Sequence, residues 1–141
     1  MTKTPQVIGI LGAGQLARML AQAGQKLGLK FIFLDPAEAA CAAEFGEHIQ
    51  AAWDDETALT ALGQRCDIVT FDFENVPEAS ATLIESLCPV FPPPKALFAS
   101  QDRLREKTLM QDLGIPVAPF AAVSSRPELM AAVEQLVCPA F

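Results

Sequence analysis

The sequence predicts an α/β fold: a doubly wound, Rossmann-like parallel sheet with helices on both faces. Short apolar segments alternate along the chain with amphipathic segments of helical length, which is the pattern of βαβ units. The first apolar segment, residues 7–11, leads directly into Gly12-Ala13-Gly14 and then into a helical pattern. In sheets of this kind, a strand, a glycine turn and a helix in immediate succession form a junction that binds phosphates or nucleotides.

The first βαβ unit has strands predicted at 6–11 and 30–34 and a helix predicted at 15–27, with Gly28 after the helix. The apolar residues of this helix recur at helical intervals, so we expect that face to pack on the sheet as core. Its members are Leu16, Met19, Leu20, Ala23 and Leu27.

The alternation continues up to three consecutive prolines at 92–94. The β-branched and aromatic residues of 68–73 are typical of a central parallel strand. An aspartate just before an apolar periodic segment is a favourable helix N-cap. In chain order, the predicted elements are a short helix at 39–45, a weak strand at 48–51, a helix from Asp54 or Asp55 to 65, a strand at 67–73 and a helix from Pro77 to 87.

The proline run is the predicted boundary between a domain at 1–94 and a second region at 95–141. Beyond it, a charged helix is predicted from Gln101 to Gly114 and a strand at 117–123. Ser125 and Glu128 have capping-box spacing for a final helix. The residues of that helix expected to face inward are Leu129, Val133, Leu136 and Val137. The apolar end at 138–141 resembles the start of a strand, so we expect a truncated chain.

Composition and charge argue against several function classes. The chain has 141 residues, of which 51% are hydrophobic, enough for a buried core. No apolar run approaches the roughly 20 residues that span a bilayer and no signal peptide precedes the first strand, so we expect a cytoplasmic protein without a membrane partner. The formal charge of −7 and the scattered basic residues argue against a nucleic-acid partner.

The sequence gives little support to metal-based or triad chemistry. Cys41, Cys66, Cys88 and Cys138 lack the paired spacing of zinc ligands, so no metal site is predicted. Because His48 is the only histidine, we expect a surface or strand-edge residue there in preference to a catalytic base.

Ligands of an open parallel sheet collect beyond the carboxyl ends of its strands. Gly12 and Gly14 offer a tight turn and exposed backbone there, and Gln15 begins the helix. Asp35 ends the second strand 23 residues after Gly12, where a dinucleotide-binding fold places its ribose-binding acid. A dinucleotide site and a site for another phosphorylated ligand both remain open at this point.

Two polar residues at this edge each have two possible roles, one in ligand binding and one in the structure. Gln15 could bond a ligand hydroxyl or ring nitrogen through its amide, or it could merely cap its helix. Glu74 follows the predicted strand at 67–73 and could accept hydrogen bonds from sugar hydroxyls or an amine. Its alternative role is that of a negative charge favourable to the following helix.

Several motifs in order resemble the N-terminal part of the N5-carboxyaminoimidazole ribonucleotide synthetases, a family of the ATP-grasp superfamily. The resemblance extends over almost the whole chain. The motifs are the glycine segment at 9–20, Leu34-Asp35-Pro36, the segment at 70–77, the charged segment at 101–107, and the segments at 113–116 and 118–120.

The resemblance implies a pre-ATP-grasp substrate domain followed by the start of an ATP-grasp domain. It implies a purine-biosynthesis ligase that carboxylates 5-aminoimidazole ribonucleotide with ATP and bicarbonate through carboxyphosphate, as a homodimer. By position, Gln15, Leu16 and Glu74 would contact the ribonucleotide, with backbone donors from Gly12 and Gly14.

Arg103 resembles the first ATP-contacting residue of the family, although its type and place alone would favour a solvated helix charge. The Mg²⁺ ligands and the residues that grip ATP are expected beyond residue 141, so we expect this chain alone to lack ligase activity. The family often has glycine where Ala13 and Ala17 stand; both are small, so we expect the loop geometry to survive.

Three other functions remain as alternatives. The glycine pattern and Asp35 favour an NAD-dependent oxidoreductase. A formate-dependent glycinamide ribonucleotide formyltransferase of the same superfamily shares the glycine loop and an acid like Glu74. The absence of the expected ATP-binding half allows a non-catalytic assembly module.

Overall fold

The computed structural model describes residues 6–136 of the chain. The chain divides into two compact units, one ending at Gln101 and the other beginning at Asp102. Each unit is described separately.

The first unit is built on a four-stranded sheet in the order β3-β2-β1-β4, in which every neighbouring pair is parallel. Leu11 lies opposite Leu34 on one side and Phe71 on the other, so the carboxyl ends of β2, β1 and β4 meet at one edge. Val90 adds a single parallel bridge to Val69. The strands are β1 (Val7–Leu11), β2 (Lys30–Asp35), β3 (Glu47–Gln50) and β4 (Ile68–Phe71).

Helices cover both faces of this sheet, which confirms the predicted doubly wound α/β architecture. Alternate strand residues point to opposite faces: Ile10 packs with helix α1, whereas Leu11 packs with α2 and α3. The helices of this unit are α1 (Gln15–Gln25), α2 (Glu56–Arg65), α3 (Glu78–Glu85) and α4 (Pro94–Ser100), with a 3₁₀ turn at Ala43–Phe45.

Helix α4 follows the proline run but belongs to the first unit. Leu97 is fully buried in the core that α2 and α3 form on the sheet. The compact unit therefore extends seven residues past residue 94, to Gln101.

The prediction that the large apolar face of α1 is core was wrong. Leu16, Met19 and Leu20 are 58%, 57% and 49% exposed, and Leu27 is 79% exposed. The buried residues of the helix are the small ones, Ala17, Ala21 and Gly24. A Cβ on Gly24 would lie 2.4 Å from Cζ of Phe31, so the backbone of α1 lies too close to the sheet for large side chains to fit between them.

The second unit contains helices α5 (Arg103–Asp112) and α6 (Arg126–Gln135). Asp102 caps α5 through the N–H of Arg105, and Ser125 caps α6 through the N–H of Glu128, as its capping-box spacing predicts. In a capping box the carboxylate of Glu128 would accept from the N–H of the cap residue, Ser125. Here it accepts from the N–H of the preceding residue, Ser124, at 2.7 Å.

Two predictions for this unit were wrong. Residues 117–123 form no strand in the described part of the chain, since a strand requires a hydrogen-bonded neighbour and none is paired with them there. Leu129 and Val133 are 49% and 43% exposed, and the buried residue of α6 is Ala132. Val137 and the apolar end at 138–141 lie outside the described residues.

Among residues 6–136, no helix is both long and apolar enough to cross a membrane.

Candidate functional site

The candidate site lies at the carboxyl edge of the sheet, where β1, β2 and β4 end side by side. Gly12 is buried there with a φ of 115°, a conformation that side chains on L-residues rarely adopt. Its N–H donates to the carbonyl of Leu34 at 2.9 Å. The glycine loop, residues 12–14, is therefore tied to the end of β2 from its first residue.

Asp35, at the end of β2, holds the next residue of the loop. One oxygen of its carboxylate accepts from the N–H of Ala13 at 2.9 Å, and the other accepts from the N–H of Ala37 at 2.8 Å. The backbone carbonyl of Asp35 lies 3.1 Å from Nε2 of His48, on the edge strand β3. Because its carboxylate is engaged within the protein, the acid expected to bind a dinucleotide ribose serves here to fix the loop.

Asp72 directly follows β4 and reaches the loop from the opposite side. Its Oδ2 accepts from the N–H of Ala17, in the first turn of α1, at 3.3 Å. A Cβ on Gly12 would lie 1.7 Å from its Oδ1, so the hydrogen side chain of Gly12 makes room for this carboxylate. Among the described residues, the buried Oδ1 has no hydrogen-bond partner.

Burial raises the pKa of Asp72 above its ordinary value, and the negative charge of Asp35 raises it further. Hydrogen bonds from the backbone amides of Ala17 and Gly14 act in the opposite direction and lower the pKa. The helix N-terminus thus already has an anionic group placed against its amides.

Gln15 and Leu16 are the first two residues of α1 and are both exposed. No carbonyl of the helix lies four residues before either of them, since the first intrahelical bond runs from the N–H of Arg18 to the carbonyl of Gly14, so the helix itself cannot satisfy their N–H groups. Leu16 also lines an apolar groove of about 440 Å³. The other lining residues are Met19, Leu20, Ala23, Phe71 and Asp72.

Glu74 is exposed three residues beyond β4, and the C-terminal end of α4 holds its backbone. The side-chain amide of Gln101 donates to the carbonyls of Glu74 at 2.8 Å and Val76 at 2.5 Å. Val76 is fully buried, which fixes the segment further. Gln101 is a structural residue of the site that the sequence motifs alone did not identify.

The structure brings five of the predicted site residues into one unit: Gly12, Gly14, Gln15, Leu16 and Glu74 follow β1 and β4, which are neighbouring strands. Arg103 belongs to the second unit, where it begins α5. Its side chain is 84% exposed, and its guanidinium pairs with Glu106 at 2.5 Å.

Asp72 is the site residue that sequence reasoning missed. A usable signal existed, because Asp72 is the one charged residue within the apolar stretch from Ile68 to Phe73. A charge that interrupts such a stretch at a strand end has to be hydrogen-bonded or to face a site.

The described residues provide no group of three or more histidine, cysteine or acidic side chains that could hold a metal ion. Two of the cysteines are buried within the sheet unit. Burial raises the pKa of the Cys66 thiol to about 12 and also raises that of Cys88, so both remain protonated thiols at neutral pH.

Comparisons with known proteins agree on one family. The family model of the ribonucleotide synthetase preATP-grasp domain matches residues 5–101. An N5-carboxyaminoimidazole ribonucleotide synthase of Pseudomonas aeruginosa is 47% identical over 133 residues, which cover 94% of this chain and 37% of that protein.

Solved structures agree with this match. The N5-carboxyaminoimidazole ribonucleotide synthetase of Thermus thermophilus superimposes with a TM-score of 0.86 at 48% identity, covering 94% of this chain and 37% of that one. The Aspergillus clavatus enzyme, in complex with ADP and 5-aminoimidazole ribonucleotide, gives 0.82 at 27% identity over 95% of this chain and 37% of that one.

The chain spans a little over a third of the length of the curated relatives it matches. The match of the family model over 5–101 covers the whole sheet and the glycine loop. The chain therefore belongs to the ribonucleotide synthetase preATP-grasp domain family.

Proposed function

We propose that this chain provides the ribonucleotide-binding domain of an N5-carboxyaminoimidazole ribonucleotide synthetase. The observation that carries the proposal is the agreement, over 94% of the chain, with relatives that bear this name at 47% and 48% identity. The proposed reaction carboxylates the exocyclic amine of 5-aminoimidazole ribonucleotide at the expense of ATP and bicarbonate, in purine biosynthesis.

The proposed reaction has two steps. An oxygen of bicarbonate attacks the γ-phosphorus of ATP, which gives carboxyphosphate and ADP. The amine nitrogen of the ribonucleotide then attacks the carboxyphosphate carbon; phosphate leaves, and the amine loses a proton. The products are the N-carboxylated ribonucleotide, ADP and phosphate.

Gln15, Leu16 and Glu74 are the proposed ribonucleotide contacts. Gly12 and Gly14, which the sequence predicts as backbone donors to the ligand, direct their N–H groups to Leu34 and Asp72, so their proposed role is to shape the loop beside these contacts. The exposed N–H groups of the first two helical residues are donors for a ligand oxygen. Glu74, exposed on a segment that Gln101 fixes, is an acceptor for a hydroxyl or amine hydrogen. Donors and an acceptor on neighbouring strand ends suit a ligand that carries both kinds of group.

Arg103 is the proposed ATP contact. Its exposed guanidinium fits a polyphosphate chemically, because its planar fork can hold two phosphate oxygens at once. Binding would require it to exchange Glu106 for the nucleotide. ATP supplies the phosphoryl group when bound, and the described residues offer no ligand cluster for Mg²⁺.

We also propose the domain arrangement, the location and the assembly. Residues 1–94 would form the substrate-binding domain, and residues 95–141 would form a linker, whose first helix α4 packs on that domain, and the beginning of an ATP-grasp domain. The protein would act in the cytoplasm as a homodimer.

A chimera tests the function. The segment of the Pseudomonas aeruginosa relative that this chain matches is replaced by the chain itself, and ADP release is measured with ATP, Mg²⁺ and bicarbonate. We expect 5-aminoimidazole ribonucleotide to stimulate ADP release. Stimulation by glycinamide ribonucleotide with formate, and none by 5-aminoimidazole ribonucleotide, would instead establish the formyltransferase alternative.

Within the chimera, Glu74→Ala should lower kcat/KM for the ribonucleotide by about 10- to 100-fold, as expected for one lost hydrogen bond to a charged group. Glu85→Ala, which removes an exposed glutamate at the end of α3, is the matched control and should change kcat/KM by no more than about twofold. Equal losses in both variants would remove Glu74 from the proposed site.

A further inference from the structure

The glycine loop has the sequence of a phosphate site, but most of its backbone donors are already used within the protein. The N–H of Gly12 donates to Leu34, and that of Ala13 donates to Asp35. The amides of Gly14 and Ala17 interact with the Asp72 carboxylate. This leaves the N–H groups of the first two helical residues, which the helix cannot satisfy.

The space beside the loop is occupied, just as most of its hydrogen-bond donors are already used. A Cβ on Gly12 would lie only 1.7 Å from Oδ1 of Asp72. The carboxylate therefore already fills the space beside Gly12 that a phosphate oxygen would need. In dinucleotide-binding loops the second glycine, which is Gly14 here, lets the ligand approach the backbone. The Asp72 carboxylate lies beside this glycine too, since a Cβ on Gly14 would be 3.5 Å from its Oδ2. Here the same absence of a side chain admits a carboxylate of the protein itself.

Charge reinforces this exclusion. Asp35 and Asp72 lie on two sides of the loop: Asp35 accepts from the amide of Ala13, and Asp72 accepts from that of Ala17 in the first turn of α1. A phosphate drawn to the loop would meet both carboxylates at short range, in surroundings that water only partly screens. The field of the helix N-terminus, which would otherwise favour the phosphate, is largely offset.

We propose that Asp72 is a positioning and specificity-determining residue that occupies the anion position of the glycine loop, holds the start of α1, and excludes phosphate groups from Gly12 and Gly14. Ligand contact at the loop is thereby limited to Gln15 and Leu16. This inference goes beyond the proposed function and does not depend on it, because it concerns any phosphate or pyrophosphate group.

The test uses inorganic pyrophosphate as the probe and the backbone amide resonances of Gly14 and Ala17 as the readout. The full chain is titrated as wild type, as Asp72→Ala and as Asp72→Asn. We expect the wild-type amides to show no saturable shift. In Asp72→Ala the amides should saturate at a pyrophosphate concentration at least about tenfold below any wild-type response, because a negative charge is removed at short range.

Asp55→Ala is the matched control, because Asp55 caps α2 in the same unit through the N–H of Ala58 at 3.0 Å. It should leave the Gly14 and Ala17 resonances unresponsive to pyrophosphate. The proposal is overturned if wild type and Asp72→Ala bind pyrophosphate at these amides equally well, if folded Asp72→Ala does not bind it, or if Asp55→Ala gains the same response.

A second readout covers the case in which Asp72→Ala does not fold. The amide of Ala17 in the wild type should shift with pH as its acceptor, Asp72, takes up a proton, and this titration should be absent in Asp72→Asn. This signature identifies Asp72 as the titrating group that lies against the Ala17 amide. A titration that persists in Asp72→Asn contradicts the assignment of Asp72 as the acceptor.

Discussion

The two sides of the glycine loop and its helix differ in a way that apolar periodicity does not describe. The inward side consists of small buried residues, Gly12, Ala17 and Ala21, which lie against the sheet or the Asp72 carboxylate. The outward side carries the larger residues Leu16 and Leu20, and these are about half exposed. The side of this helix that packs is set by how closely the helix backbone approaches the sheet. Only small side chains fit on that side.

The comparison also separates structural from ligand-binding donors. On the inward side, Asp35 holds the backbone of the loop and Asp72 holds that of the first turn of α1 by hydrogen bonds. On the outward side, the first residues of α1 are exposed and keep N–H groups that the helix does not use. The same short segment thus serves the fold on one side and remains open to a ligand on the other.

The largest effect is expected from Gly12→Ala. The substitution combines a backbone φ of 115° with a contact of 1.7 Å between the new Cβ and Asp72. Strain and overpacking together should reduce the free energy of unfolding by about 3 kcal/mol. Urea unfolding of the chain, followed by circular dichroism, measures the loss.

Gly28→Ala is the control for Gly12→Ala, because Gly28 also has a positive φ, 80°, but would meet no atom within 4 Å. It should cost about 1 kcal/mol, from backbone strain alone. Adding Asp72→Ala to Gly12→Ala should recover part of the difference. Equal costs for the two glycines would refute the close contact between Gly12 and Asp72.

A pair of neighbouring substitutions tests the two sides of α1 directly. Ala21→Leu, on the inward side, should destabilise the fold by about 1–3 kcal/mol through overpacking. Leu20→Ala, on the outward side, should change the free energy of unfolding by only about 0.5 kcal/mol, since Leu20 is 49% exposed. The reverse order would show that the large apolar face is the packed one.

A smaller effect is expected from the protonation of Asp72. Its pKa is raised in the folded chain, so between the ordinary value of 3.8 and the raised value the folded state holds a proton that the unfolded state has released. The free energy of unfolding should therefore fall as pH rises through this window, and the Asp72 contribution should be constant above it.

Asp72→Asn isolates this contribution, because other carboxyl groups titrate in the same range. The pKa of Glu47 is lowered by its hydrogen bond with Arg65, so its contribution has the opposite sign. The unfolding free energy of wild type minus that of Asp72→Asn, measured from acidic to neutral pH, should decrease with rising pH. A difference that increases would indicate that the pKa of Asp72 is lowered in the folded chain.

Local signals in the sequence predicted much of the fold. The parallel strands, the glycine turn and the caps at Asp55 and Ser125 each depend on a few adjacent residues, and the structure contains all of them. The packing of α1 was predicted wrongly because the helix has two apolar faces with the same helical period. One face consists of large residues and the other of small residues. Periodicity does not measure how closely a helix approaches the sheet.

The remaining errors concern contacts between distant residues. A strand was predicted at 117–123 from composition, but a strand forms only where a neighbour accepts its hydrogen bonds. Asp72 lies 55 residues from Ala17, its hydrogen-bond donor, so no local pattern connects them. The glycine motif correctly predicted a turn before a helix, although its sequence did not reveal that a carboxylate of the chain fills the anion position.

The central claim is that the outward side of the loop binds the ribonucleotide while the inward side remains closed by the carboxylates. It is tested most directly by titrating the ¹⁵N-labelled chain with 5-aminoimidazole ribonucleotide and following every backbone amide. The account predicts saturable shifts centred on Gln15, Leu16 and Glu74, with the pH titration of the Ala17 amide retained in the saturated complex. Shifts centred on Gly12 and Gly14 with loss of that titration would show that the ligand displaces Asp72 and would contradict the account.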